Sequence, residues 1–105
     1  MVKKENLLKS INYQEGTIVS RTIINQSSGT VTLFAFAKGQ GLSEHTAPYD
    51  AMVYLLAGQA DIKIAGKTHK LRAGETIIMP AKKPHALKAN EPFKMLLIMI
   101  KPKDK

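Results

Sequence analysis

The sequence predicts an all-β domain, a sandwich or a barrel of two packed sheets. Three observations carry that expectation. β-branched and aromatic residues come in short bursts separated by Gly, Ser, Asn and Pro turn residues. The one stretch with helical character, Lys4–Ile11, is too short to be stable alone. Apolar residues make up 44% of the chain, enough for a core, and cysteine is absent, so no disulfide framework, thiolate nucleophile or Cys-based metal site is available.

The elements follow from the turn residues. Thr17–Asn25 is the first strand and ends at Gln26-Ser27-Ser28-Gly29. Thr30–Ala37 follows and stops at Lys38-Gly39-Gln40-Gly41. Ala51–Ala57 is the third, and the Gly58-Gln59 step predicts a tight hairpin into Ala60–Ala65. Ala65-Gly66-Lys67 turns the chain into Thr68–Leu71, and Ala73-Gly74-Glu75 introduces Thr76–Met79. Pro80 ends that strand because proline cannot donate to a ladder. Pro84–Ala89 and Phe93–Ile100 bring the count to about eight.

With 105 residues the chain makes one domain, 1–105, with polar tails at 1–6 and 102–105. Runs such as Ile77-Ile78-Met79 and Met95–Ile100 are apolar on both faces. One face goes to the core, so the other needs cover, and a homodimer supplies it.

The function classes narrow by exclusion. The longest apolar runs, Ala51–Ala57 and Met95–Ile100, fall far short of the ~20 residues of a membrane span, and no signal peptide follows the basic N-terminus. A cytoplasmic protein without membrane contact is expected. The net charge is +8, but residues 1–10 and 101–105 hold half of the excess. With three Phe and three Tyr, several inside strand runs, the chain lacks the exposed aromatic and basic face of a nucleic-acid binder.

The three histidines mark the candidate chemistry: His45 in Ser43-Glu44-His45-Thr46-Ala47-Pro48-Tyr49-Asp50, His69 in Thr68-His69-Lys70, and His85 in Lys83-Pro84-His85-Ala86. Gly39, His45 and Gly58, then Gly74, Pro80 and His85, stand at the spacings of two glycine- and histidine-anchored motifs, with Asn90 one place late. In this the stretch 30–100 resembles the cupin superfamily. The resemblance implies a double-stranded antiparallel β-barrel of jelly-roll type, a homodimer, and His45 and His85 at the family's metal-ligand positions. It also shows departures. Ala47 stands where the family places a further histidine, Ala51 where it places a glutamate, and Lys82 where it places glycine.

Two readings of the site follow. In the first, His45, Tyr49 and His85 orient a small organic molecule, a carboxylate or a sugar-like compound, in a cavity that Ala47 and Ala51 enlarge. In the second, His45 and His85 hold a divalent transition metal (Zn, Fe, Mn or Ni) for a dioxygenase or isomerase reaction. That needs a replacement ligand, since such ions take three or four protein donors. Asp50 serves only if a bulge turns it inward. Tyr49 shares parity with His45, Ala47 and Ala51 if the strand is regular. A scaffold domain without a ligand fits the apolar strands equally well. His69 reads as an ordinary strand residue, and Met52, Met79, Met95 and Met99 as core filler. Ser43, His45 and Asp50 lack the nucleophile elbow a hydrolytic triad would need.

Overall fold

The computed structural model describes residues 2–101. Eight strands run in chain order: β1 (Ile18–Gln26), β2 (Gly29–Phe36), β3 (Gly41–His45), β4 (Asp50–Ile64), β5 (Lys67–Arg72), β6 (Thr76–Met79), β7 (His85–Lys88) and β8 (Phe93–Ile100). All pairings are antiparallel. The first sheet has the order β1-β2-β8-β4-β6 and the second β3-β7-β4-β5. Among the described residues no helix is long and apolar enough to cross a membrane.

β4 belongs to both sheets and is the corner of the barrel. Its residues 50–58 pair with β8, and 51–54 also with β6. From Gln59 onward it pairs with β5, and from Asp61 with β7. The change of sheet occurs where the β8 register slips between Leu55 and Ala57 and Gly58 takes φ +80°. Strands commonly switch sheets through such bulges. This corrects the hairpin expected at Gly58-Gln59. The glycine bends one 15-residue strand and does not reverse it. Glycine inside an apolar run is ambiguous between bulge and turn, and only the pairing decides.

Two further expectations change. The stretch 4–11 holds a single 3₁₀ turn, Leu7–Lys9, and no α-helix. β3 was not foreseen, because Gly41-Leu42-Ser43-Glu44-His45 is an exposed edge strand that pairs only with β7 and carries one apolar side chain.

The core lies between the sheets. Phe36 and Phe93 stack with centroids 4.4 Å apart, surrounded by buried Val53, Leu55, Ile62, Leu71, Leu87 and Met95. Each such side chain contributes about 1.5–3 kcal/mol by leaving water. A second, smaller cluster lies on the outer face of the first sheet, where Ile11 and Leu7 cover Leu33 and Ala35. Glu5 pairs with Arg21 at 2.9 Å and Lys94 Nζ donates to the Leu8 carbonyl at 2.7 Å. The chain's own N-terminal segment thus supplies part of the cover the two-faced strands require. Glu5, read as part of a tail, is anchored. The C-terminal tail at 102–105 lies outside the described residues.

Candidate functional site

β3 ends where β7 begins, and the ladder makes His45 and His85 direct partners. Their rings meet edge to face, centroids 4.3 Å apart, with the two Nε2 atoms at 3.0 Å. His85 is buried and His45 is exposed at the rim. The other ring nitrogens face backbone: His45 Nδ1 lies 2.7 Å from the Ser43 carbonyl and His85 Nδ1 lies 3.3 Å from that of Lys83. A carbonyl oxygen only accepts, so an imidazole bonded to one carries hydrogen on Nδ1, and the hydrogen bond between the two Nε2 atoms requires a hydrogen on one of them as well. One imidazole therefore donates to the other, and the two form a hydrogen-bonded pair on the wall of the pocket. Burial, and then the neighbouring His45, push the His85 imidazole below its ordinary range, against a smaller opposing effect of the Lys83 carbonyl.

Two loops are tied together beside the pair. The Lys82 N–H donates to the Ala47 carbonyl at 2.7 Å, and the Ala81 N–H donates to Asp50 Oδ1 at 2.8 Å. Lys82 sits at φ +66°, a left-handed conformation that suits the glycine the family resemblance leads one to expect there. Asp50 is thus engaged on the outside, as strand alternation suggested, and is not turned toward the histidines.

Behind the pair is a pocket of about 210 Å³ between the sheets. His45, Tyr49, His85, Ala47 and Ala51, all singled out from sequence, line it together. Tyr49 arrives by a different route from the one expected. Residues 46–49 form a loop and not a regular strand, so parity did not place it. Thr46 and the apolar walls Leu42, Met79, Leu87, Met95, Leu97 and Met99 were not assigned to the site from sequence. Inward alternation in β8 was the available signal, but it cannot tell a cavity wall from filled core. His69 pairs with Ile62 in the β4–β5 ladder, away from the pocket. A larger, more open depression of about 440 Å³, lined by Gly41, Ser43, Asp61, Lys63 and Lys88, contains no imidazole.

The divalent site that the resemblance implies can be tested against these residues. Among the described residues no group of three or more His, Cys, Asp or Glu gathers around one point. Two imidazoles without a carboxylate do not make a set for Zn, Fe, Mn or Ni.

Comparison with known proteins agrees with the fold. The cupin domain model matches residues 32–100. A conserved protein of unknown function from Streptococcus pyogenes is 38% identical, with 99% of this chain and 91% of that one covered and a TM-score of 0.93. A cupin 2 conserved barrel domain protein from Leptotrichia buccalis is 40% identical over 92% of this chain and 47% of its own, with a TM-score of 0.89. A curated relative, the polyketide synthase CurC of Streptomyces cyaneus, is 29% identical over 65 residues, 61% of this chain. The match spans 42% of that relative's length. Motif spacing, the shared corner strand and these matches agree: the chain belongs to the cupin domain family.

Proposed function

We propose that the chain is a small-molecule-binding module whose inter-sheet pocket takes a compact carboxylate or sugar-like compound bearing a hydroxyl group. The observation that carries this reading is the division of the lining. His45, Thr46, Tyr49 and His85 are its polar groups, and every other lining side chain is apolar. Binding pockets have this composition, apolar walls with a few convergent polar groups. At about 210 Å³ the space is smaller than the roughly 300–1,000 Å³ of drug-sized sites, so the occupant is small. An occupant that replaces the mutual hydrogen bond of the imidazoles meets one Nε2 that donates and one that accepts, so a hydroxyl, which does both, suits the pair. The Thr46 and Tyr49 hydroxyls can donate in return to its oxygens. The net charge of +8 favours the approach of an anion.

Thermal-shift measurements and calorimetry on the full chain, against hydroxy acids, simple carboxylates and monosaccharides, test the reading. An occupant at a hundred times its Kd stabilises the fold by about 2.7 kcal/mol. Ala47→Leu, which narrows the pocket, and Tyr49→Phe should each weaken that binding. No stabilisation by any member of the panel would remove the reading. As part of the same reading, the chain forms a homodimer through the rest of the outer face of the first sheet, where Ile78 and Ile98 flank Met52 across the ladder and Ile78 is exposed. Light scattering checks that mass. The reading as a metal-dependent dioxygenase or isomerase has no comparable support in the donor set.

A further inference from the structure

The outer face of the second sheet carries a charge pattern that the pocket between the sheets does not use. Strand alternation sorts its side chains. Ala60, Ile62, Leu71 and Leu87 are buried, so Asp61, Lys63, Lys70, Ala86 and Lys88 project away from the core. Pairing sets them in two rows. Lys88, Asp61 and Lys70 are direct neighbours across β7, β4 and β5, and Ala86, Lys63 and Thr68 form the next row. Lys63 is therefore diagonal to both Lys88 and Lys70, with Cβ atoms about 7–8 Å apart. Flexible four-carbon stems let ammonium groups at that spacing close on one small anion.

Three ammonium groups thus surround one carboxylate, and that carboxylate is already engaged. Asp61 accepts from Asn90 Nδ2 and lies 3.8 Å from Lys70 Nζ. Among the described residues Lys63 and Lys88 have no carboxylate partner. Like charges on neighbouring strands repel, and a bound anion removes that repulsion. The same face is concave. Lys63 and Lys88 line the depression of about 440 Å³, together with Ser43 and Thr68, and the small residues Gly41 and Ala86 keep it open. Its volume lies in the range of small-molecule sites. No aromatic side chain lines it, so a nucleic-acid base finds no stacking platform there.

We propose that this depression is a second binding site and that it takes a small phosphorylated compound. A phosphoryl group carries close to two charges and three acceptor oxygens at neutral pH, which answers two ammonium groups and a hydroxyl at once. A carboxylate brings one charge and two oxygens. Lys63 Nζ and Lys88 Nζ donate to the phosphoryl oxygens, and the Ser43 and Thr68 hydroxyls donate to those that remain. His85 and Leu87 point inward from β7 while Ala86 and Lys88 point outward, so this site and the histidine pocket lie on opposite faces of the second sheet. Either can be occupied, or fail, without the other.

The test is an amide NMR titration of the full chain with inorganic pyrophosphate at physiological ionic strength. The expected result is saturable shifts at Ser43, Lys63, Thr68, Lys88 and their neighbours, with a dissociation constant in the millimolar range or below. The Lys63→Gln/Lys88→Gln double variant changes two exposed side chains, so it should keep the fold and weaken binding roughly tenfold or more. Lys3→Gln/Lys4→Gln removes the same charge from the N-terminal segment and should leave the affinity unchanged. Ala86→Leu, which crowds the depression, should weaken binding as well. Absence of saturation at millimolar pyrophosphate, equal weakening in the two double variants, equal affinity for succinate, or tighter binding of single-stranded RNA or polyglutamate than of pyrophosphate would each overturn the assignment.

Discussion

His45 and His85 are forty residues apart in the chain, yet their Nε2 atoms stand 3.0 Å from each other because β3 and β7 pair at those positions. The contact joins an exposed ring to a buried one, the backbone carbonyls of Ser43 and Lys83 face the other two ring nitrogens, and together these contacts bear on the tautomers.

The first expectation concerns those tautomers. At pH 7.5 in the unligated protein, nitrogen-15 chemical shifts should report a hydrogen on one Nε2 of the pair, bonded to the Nε2 of the other ring. A spectrum with no hydrogen on either Nε2 would remove the hydrogen bond between the rings.

The pH dependence follows from His85. Its folded-state pKa is lowered by burial and then by His45, so below the unfolded value of about 6.5 the unfolded chain binds the extra proton more readily. Stability is therefore full above that value and falls as the pH drops below it toward the folded pKa. Urea unfolding between pH 7.5 and 5 should show this slope, and His85→Gln should flatten it.

Gly58 carries the corner of the barrel. A Cβ there would collide with the Pro92 carbonyl, and φ +80° is already unfavourable for an L-residue. Gly58→Ala is expected to cost more than about 2 kcal/mol in urea unfolding. A neutral result would show that β4 passes between the sheets by another path.

At Lys82 the expectation is opposite in sign. The residue holds φ +66° while its N–H bonds to Ala47, a role any residue but proline can fill. Lys82→Gly should relieve the left-handed strain and raise stability by up to about 1 kcal/mol after the entropy of glycine is counted.

Ile11 tests whether the N-terminal segment belongs to the fold. It is 4% exposed and packs with Leu33 and Ala35 on the outer face of the first sheet. Ile11→Ala is expected to cost about 2–3 kcal/mol, read from the midpoint of chemical unfolding. A cost near zero would mean that the segment lifts away in solution.

The sequence by itself determined the strand class, most of the strand positions and the family spacing on which His45 and His85 stand. Those depend on local properties: β-branched bursts, turn residues at Gly66 and Gly74, the stop at Pro80, and the fixed spacing of glycines and histidines. The tertiary structure decided what depends on pairing. Whether Gly58 turned or bent its strand rested on the partners of β4, and β3 became a strand through β7 alone. Tyr49 reached the pocket through a loop held by the Lys82–Ala47 and Ala81–Asp50 hydrogen bonds, which join segments more than thirty residues apart. Met79 and Met99 read as filler because a methionine in an apolar strand looks the same in sequence whether it faces packed core or a cavity. Their place on either side of Ala51 exists only in the register of three strands brought together by folding.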